Sequence, residues 1–289
     1  MKSHYVVLRY FLIAASVFLY GNFLSGQSTP AATPTVAGSE LVSTPKQTAP
    51  SSEKLLTNYV ETGGQYLSLT NGFGNWAGGY VRGVLSTGSE IVNGEVDGQR
   101  EFNDAGTYFA VGDNHNFSAD TYASITLGSS AGGFFFPRFR ADAFLNQKWL
   151  GRKQLIVTLG LGYYAAKDPH RDHSVSLGTT YYFDKPWIFE DGVRFNLSNP
   201  GRVFSPSGFV ALTQGRNKHR YVIVRVGYGQ EGYQLIGPTA VLTSFRSRTA
   251  TVTWRQWIGT NWGANAVADY YSSPFYTRAG ASLGLFREF

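Results

Sequence analysis

The chain has 289 residues, a net charge of +6 at pH 7 and no cysteine. The lack of cysteine excludes disulfides, thiolate metal sites and cysteine nucleophiles. Only 15% of the residues are charged, whereas 16% are aromatic and 34 are glycine, which argues against an ordinary soluble enzyme. The basic residues are scattered and form no basic run, so we expect no nucleic-acid partner.

The N-terminal part of the chain has the pattern of an export signal followed by a linker. Lys2 and Arg9 precede an apolar run at residues 10–20, which is long enough for the core of a signal peptide and too short for a spanning helix. We predict a signal peptide over residues 1–26; an uncleaved anchor stays open. Residues 27–54 are rich in Pro, Ser and Thr, which predicts a disordered periplasmic leader.

The clearest periodicity lies in residues 154–187. Aliphatic side chains such as Leu155, Val157 and Leu159 alternate with less apolar ones, and the same alternation returns after the turn sequence AAKDPHRD. Each arm is about ten residues long, as a tilted strand needs to cross a bilayer. The apolar rows end in tyrosine or phenylalanine, as interfacial girdles do. We therefore predict a transmembrane β-hairpin.

The same alternation recurs over residues 55–289, where we count fourteen segments; twelve stays open. An even number agrees with a bacterial barrel, whose two ends lie on the periplasmic side. In chain order the pairs are 58–69 with 76–85, 91–99 with 107–112, 121–128 with 138–144, the hairpin of 154–187, 192–197 with 208–213, 221–230 with 249–257, and 264–271 with 279–289. The predicted fold is an all-β, antiparallel transmembrane β-barrel in the outer membrane.

The connections between these segments differ in predicted length. DNHNF, FDKPW, QGRNKH and IGTN are short, whereas AAKDPHRD, SNPGRVFSPS and EGYQLIGPTAVLTSF are longer. Short periplasmic turns and long outer loops are the rule for barrels, so we expect the longer set outside the cell. The chain ends on an alternating row that finishes at Phe289 and resembles the signal read by the barrel-insertion machinery, which we expect as a partner.

Residues 55–289 resemble the YaiO family of outer-membrane β-barrel proteins. The likeness rests on the fourteen-segment layout, on Pro-Arg-Phe at residues 137–139 after a glycine- and aromatic-rich loop, on GYGQE at residues 227–231, and on the terminal strand. It implies an integral outer-membrane protein with a suspected connection to surface or exported polysaccharide. Arg287, where a further aromatic is more usual, and the Pro-rich leader depart from the family pattern.

Strand parity assigns charged residues to the lumen, because the aliphatic alternates must face lipid. These residues are the candidate solute contacts, with two readings: a cationic path for an anionic or sugar solute, and a structural network of ion pairs. The predicted set is Arg82, Glu95, Asp97, Arg138, Arg140, Asp142, Arg194, Arg225, Arg255 and Asp269, with Glu231 near the outer rim.

We predict no catalytic residue, no metal site and no cofactor. His173 and Ser174 are adjacent, so they point to opposite faces of a strand and form no direct dyad. The cluster DPHRDH at residues 168–173 is explained by a hydrated loop. Tyrosine pairs such as Tyr270 and Tyr271 fit an interfacial girdle, with sugar stacking by the inward rings as the alternative.

The leading functional hypothesis is a non-enzymatic barrel that passes or assists a surface or exported polysaccharide or a small solute through the outer membrane. A lipid-modifying enzyme is the first alternative, and a structural or adhesion barrel acting through its outer loops is the second. Its expected surroundings are outer-membrane lipid, including lipopolysaccharide, with a glycan as the expected ligand.

Overall fold

The computed structural model describes residues 58–87 and 90–289. The predicted signal peptide and leader lie outside these ranges. Among the described residues, no helix is long and apolar enough to cross a membrane. The strands are β1 (Tyr59–Leu69), β2 (Asn75–Thr87), β3 (Glu90–Glu101), β4 (Asp104–Asn116), β5 (Thr121–Gly132), β6 (Phe139–Trp149), β7 (Leu155–Ala165), β8 (Arg171–Tyr182), β9 (Trp187–Asn199), β10 (Val203–Arg216), β11 (Arg220–Leu235), β12 (Val241–Trp257), β13 (Trp262–Ser272) and β14 (Thr277–Glu288).

The fourteen strands form one closed antiparallel barrel, as the alternation in the sequence predicts. Each strand pairs with its neighbours in chain order, and β1 closes the wall against β14 from Tyr59 opposite Glu288 to Leu69 opposite Arg278. Closure satisfies the backbone groups that an open sheet edge would expose to lipid. We call the end with Tyr59 and Glu288 the base and the opposite end the mouth.

The wall has an apolar outer face and a packed inner face. On β7, Leu159 and Leu161 are exposed on the outside, whereas Thr158 between the outer positions is buried inside. Exposed aromatic rings lie eight positions apart at the two edges, about 26 Å along a strand and about 20 Å along the membrane normal at a tilt of about 40°. These pairs are Phe109 and Phe117, Trp187 and Phe195, and Trp262 and Tyr270.

Two of the three predicted longer loops are wrong, because the chain continues as strand through most of their residues; in the third, AAKDPHRD, residues 166–170 form the connection. β11 runs to Leu235 and β12 begins at Val241, so the connection is residues 236–240 alone. The sequence SNPGRVFSPS is strand apart from residues 200–202, and the predicted turn DNHNF belongs to β4 up to Asn116. Polar residues continue the ladder because each added pair satisfies backbone groups, and a hairpin needs only a short turn.

Tyr80 lies inside the barrel against the seam between β1 and β14. A Cβ atom on Gly63 would lie 2.5 Å from the Tyr80 hydroxyl oxygen and 2.5 Å from the Leu283 carbonyl oxygen. A Cβ on Gly284 would meet the same hydroxyl at 2.5 Å. Two strands therefore carry glycine where the tyrosine side chain approaches the backbone closely, and the Tyr80 hydroxyl donates a hydrogen bond to Glu61 Oε1 at 3.1 Å.

Gly63→Ala is expected to destabilise the barrel by about 1–3 kcal/mol, because the new methyl group overlaps a backbone oxygen that cannot move freely. The free energy of unfolding by urea in lipid vesicles measures this change. Gly98→Ala is the matched control, since a Cβ there meets nothing within 4 Å. Equal stability of the two variants would show that Tyr80 does not hold the seam.

Candidate functional site: the packed lumen

The lumen is filled by side chains in three layers. The layer nearest the base is apolar and aromatic, and we call it the floor. Its buried side chains come from the base ends of the strands, where inward positions carry large rings and branched chains. The floor consists of Tyr59, Val84 and Ile91; Tyr122, Ile156, Tyr182 and Ile188; and Tyr221, Ile223, Trp257 and Phe286.

Above the floor lies a layer of charged side chains, which we call the belt. Its most buried ion pair joins Arg255 to Glu61 across the seam, with Nη1 3.0 Å from Oε2 and 1% exposure of each side chain. The Arg255 guanidinium also lies 3.5 Å from the ring centroid of Phe286 and donates to Asn265 at 3.4 Å. Burying a charge this deeply is tolerable only when it is paired and hydrogen-bonded.

Arg82 forms a second group in the belt with two acidic residues of the neighbouring strand. Its Nε lies 2.9 Å from Glu95 Oε2, and its Nη2 lies 4.0 Å from Asp97 Oδ1. The guanidinium carbon stands 4.3 Å from the ring centroid of Tyr80. Tyr80 therefore links this group to Glu61, so the two ion-pair groups form one network along β1 to β3.

A third group lies on the inner face of β6 to β9. Arg140 Nε lies 2.5 Å from Asp142 Oδ2. Arg194 is 7% exposed, and its Nε has no hydrogen-bond partner. Gly162 leaves the space between them, since a Cβ there would lie 3.1 Å from Asp142 Oδ1 and 3.5 Å from Arg194 Nη2. Arg194 is thus a buried cation with donor capacity left over.

Glu190 and Arg225 face the same part of the lumen from β9 and β11. Both lie opposite Ala211 of the intervening strand, one on each side, which places a carboxylate and a guanidinium on either flank of a small residue. The Arg225 guanidinium carbon is 3.4 Å from the ring centroid of Phe209. Carboxylates and guanidiniums thus recur around the whole belt.

The layer at the mouth is aromatic, and we call it the roof. Phe134 and Tyr233 both contribute to it: Phe134 lies in the turn after β5, and Tyr233 lies near the mouth end of β11, paired with Thr243 of β12. Phe134 stacks on Phe102 with centroids 6.2 Å apart, and Tyr233 stacks on His170 at 3.8 Å. The other main rings and chains are Leu67, Leu69, Trp76, Tyr164, Leu235, Tyr271 and Tyr276.

Polar groups are set among the rings of the roof. Tyr271 donates its hydroxyl to Glu231 at 2.8 Å, and Gln234 donates its amide to the hydroxyl of Tyr276. Arg278 bonds Asp269 with Nη2 3.1 Å from Oδ1. Glu101 is fully buried close by, and neither of its carboxylate oxygens has a hydrogen-bond partner.

The structure brings nearly all the predicted lumen residues onto the inner face, but Arg138 is a correction. Arg138 precedes β6 and is exposed at the rim of the mouth, where its guanidinium donates to the Ala166 carbonyl at 3.4 Å. The pairing of β5 with β6 ends at Phe139, so strand parity does not extend to Arg138. Glu231 lies near the mouth, as expected, but it is buried beneath the roof.

Sequence reasoning missed several residues that the lumen depends on. Glu61 lies in the strand YVETGGQYLSL at the same parity as Tyr59, so the alternation contained the information. Glu190 and Asp191 are adjacent, and the sequence alone does not say which of the two faces inward; the structure buries Glu190. Trp76 and Tyr276 are uncharged, so a search for inward charges did not select them. Their position at the mouth, at the start of β2 and just before β14, was the feature of the sequence that could have indicated them.

His173 and Ser174 lie on opposite faces of β8 and form no hydrolytic dyad. His173 is exposed on the outside of β8, with its ring 5.2 Å from that of Tyr163, whereas Ser174 is buried inside. In the loop, His170 Nδ1 lies 2.5 Å from Asp168 Oδ2. Within residues 58–87 and 90–289, no group of three or more His, Cys, Asp or Glu residues is placed to hold a metal ion.

A sequence profile described as the YaiO membrane beta barrel domain matches residues 57–234, which is more than half of the chain. The chain belongs to the YaiO family. The family description and the closed fourteen-stranded wall identify this YaiO protein as an integral barrel of the outer membrane. The match ends at Gln234 in β11, so the last three strands lie beyond it. No curated protein matches the chain.

Solved structures share the fold of this YaiO barrel. The monoaromatic hydrocarbon channel CymD has a TM-score of 0.57 at 6% identity, covering 80% of this chain and 88% of that one. The P. putida toluene transporter TodX has a TM-score of 0.50 at 10% identity, covering 80% of this chain and 90% of that one. At such identities the likeness extends to the fold alone.

Glu61→Gln is expected to destabilise the YaiO barrel by about 3–5 kcal/mol, because it leaves Arg255 as a buried charge without its counterion. The double variant Glu61→Leu, Arg255→Met should lose less, since no charge remains in the belt at that point. Urea unfolding in lipid vesicles compares both with the wild type.

The matched control for the buried pair is Asp184→Asn. Asp184 bonds Arg152 at 2.7 Å at the base, but the two side chains are 69% and 67% exposed, so the loss should be only about 0–1 kcal/mol. Similar losses for Glu61→Gln and Asp184→Asn would contradict a structural role of the belt.

Proposed function

We propose that this outer-membrane barrel is a non-enzymatic, gated passage or passage partner for a glycan or a small polar solute. The observation that carries the proposal is a belt of charged and polar groups enclosed beneath a roof of aromatic rings. A belt exposed to a permanently open channel would need no roof. In an interior with only a structural role, buried polar groups would be expected to bond one another, whereas the Glu101 carboxylate and Nε of Arg194 have no hydrogen-bond partner.

Two rings of the roof supply the element that could move. Phe134 lies in the connection between β5 and β6, outside the strands, whereas Tyr233 lies near the mouth end of β11, where it pairs with Thr243 of β12. The ladder of β11 and β12 is interrupted just below Tyr233, where Gly232 and Ser244 stand opposite each other but are not paired, and Ser244 has φ of 50°. Bending there would lift Tyr233 without breaking the barrel.

The chemistry of the roof favours a glycan as the solute. Sugar rings are recognised by flat aromatic faces together with hydrogen-bonding groups that fix orientation. Trp76, Tyr271 and Tyr276 provide the rings, and Gln234 and Glu231 provide amide and carboxylate groups beside them. A solute lying between these rings would replace contacts that the roof now makes with itself.

Among the inner arginines, Arg194 is the strongest candidate for direct contact with the solute. Arg82, Arg140 and Arg255 already bond acidic partners, so a solute would have to compete with those carboxylates. Arg194, by contrast, takes part in no ion pair among the described residues, and its buried Nε, like that of Arg255, lacks a hydrogen-bond partner. An incoming hydroxyl or anionic oxygen would satisfy that donor, which is worth about 1–3 kcal/mol when otherwise left buried and unmet.

Planar-bilayer conductance of the refolded barrel tests the gate. Wild type should show little steady conductance, because floor, belt and roof fill the lumen. Phe134→Ala, Tyr233→Ala should give intermittent current above the wild-type level, since it uncovers the mouth while the floor and the belt still narrow the lumen below, and added oligosaccharide should block that current. Arg194→Ala in the same background should weaken the block.

The control for the gate is Phe139→Ala, which removes an aromatic ring exposed on the lipid face of β6 and should leave conductance unchanged. Heat-modifiable migration in gels verifies that each variant forms a barrel. A folded Phe134→Ala, Tyr233→Ala variant that stays closed would sink the gated-passage proposal. Wild-type conductance as strong as that of this variant would also contradict the proposal.

A further inference from the structure

The outer face of β12 carries two exposed arginines near the mouth, Arg246 and Arg248. They are two positions apart, so they project on the same side of the strand with Cβ atoms about 7 Å apart. Towards the base, the same face continues as Ala250, Val252 and Trp254. The two guanidiniums therefore stand immediately beyond the apolar band of the wall.

The position of the apolar edge is fixed by neighbouring rings. Arg248 lies opposite Tyr228 of β11, and Ala250 lies opposite Tyr270 of β13. Tyr228 is 50% exposed and Tyr270 is 46% exposed, as girdle residues at the level of lipid headgroups are. The two arginines are thus at and just above headgroup level, on the membrane side of the wall and not in the lumen.

Uncharged residues surround the two arginines. Arg246 lies opposite Gln230, and Arg248 lies between Tyr228 and Ser272 in the register of the sheet. In the described part of the chain, neither arginine takes part in an ion pair. Two cations of the same wall face, without a carboxylate beside them, favour an anionic partner from outside the protein.

We propose that Arg246 and Arg248 bind phosphate groups of the phosphorylated glycolipid in the outer leaflet. Guanidinium groups bond phosphate oxygens in pairs, and the exposed edge of a membrane wall is where lipid headgroups present them. The site faces the outer leaflet because the base, which holds both ends of the barrel, faces the periplasm. It is separate from the lumen and independent of the gated-passage proposal.

The test uses native mass spectrometry of the refolded full barrel released from detergent, with three added lipids: bis-phosphorylated lipid A, its monophosphoryl form and phosphatidylglycerol. Wild type should retain the bis-phosphorylated lipid best. Arg246→Ala, Arg248→Ala should reduce that retention about tenfold, and the double lysine variant should fall between the two because lysine keeps charge but not paired bonding.

The matched control is Arg220→Ala, Arg287→Ala, which removes two exposed arginines from the base edge of β11 and β14. It removes the same total charge and should leave lipid A retention unchanged. Equal losses for the two double variants would overturn the proposal in favour of a general charge effect. Unchanged retention in a folded Arg246→Ala, Arg248→Ala barrel, or equal retention of phosphatidylglycerol and lipid A by wild type, would also overturn it.

Discussion

The structure depends on one constraint: inside a bilayer, every backbone donor and acceptor must be satisfied by the protein itself. Fourteen strands meet it by closing the wall between β1 and β14, so that no ladder edge faces lipid. Closure brings Gly63 and Gly284 together at the seam, and Tyr80 covers both from inside. The two glycines at the seam thus leave the space in which Tyr80 reaches Glu61 and donates its hydroxyl to that carboxylate.

Closing the wall also creates an interior that is cut off from lipid, and in this barrel side chains fill it. Large apolar side chains fill it at the base, and aromatic rings fill it at the mouth. The charged residues between these layers are removed from water, so their free energy depends on partners within reach. The Arg255–Glu61 pair, with 1% exposure on each side, shows how complete that removal is. Because the interior is enclosed, a buried group without a hydrogen-bond partner, such as the Glu101 carboxylate or Nε of Arg194, marks a place where a ligand could bind.

Inside and outside of the wall serve different chemistry. The inner face combines paired charges with aromatic rings that cover the mouth, whereas the outer face is apolar between two girdles and cationic beyond one edge at Arg246 and Arg248. These two surfaces share strands but no side chains, because successive residues of a strand point to opposite sides. A substitution on one face therefore leaves the side chains of the other face in place.

The sequence by itself determined the class of fold and the membrane location, and it favoured fourteen strands over twelve, because a period of two with an aliphatic lipid face is a local property of each segment. It also placed Arg82, Arg194 and Arg255 on the inner face, since parity holds for as long as the strand continues. Only the tertiary structure decided where strands end: Arg138 falls outside β6 and the loop expected after Glu231 is strand, because pairing with a neighbour, not local composition, extends a ladder. It alone joined Arg255 to Glu61, which are 194 positions apart, because such contacts exist only once the first and last strands meet.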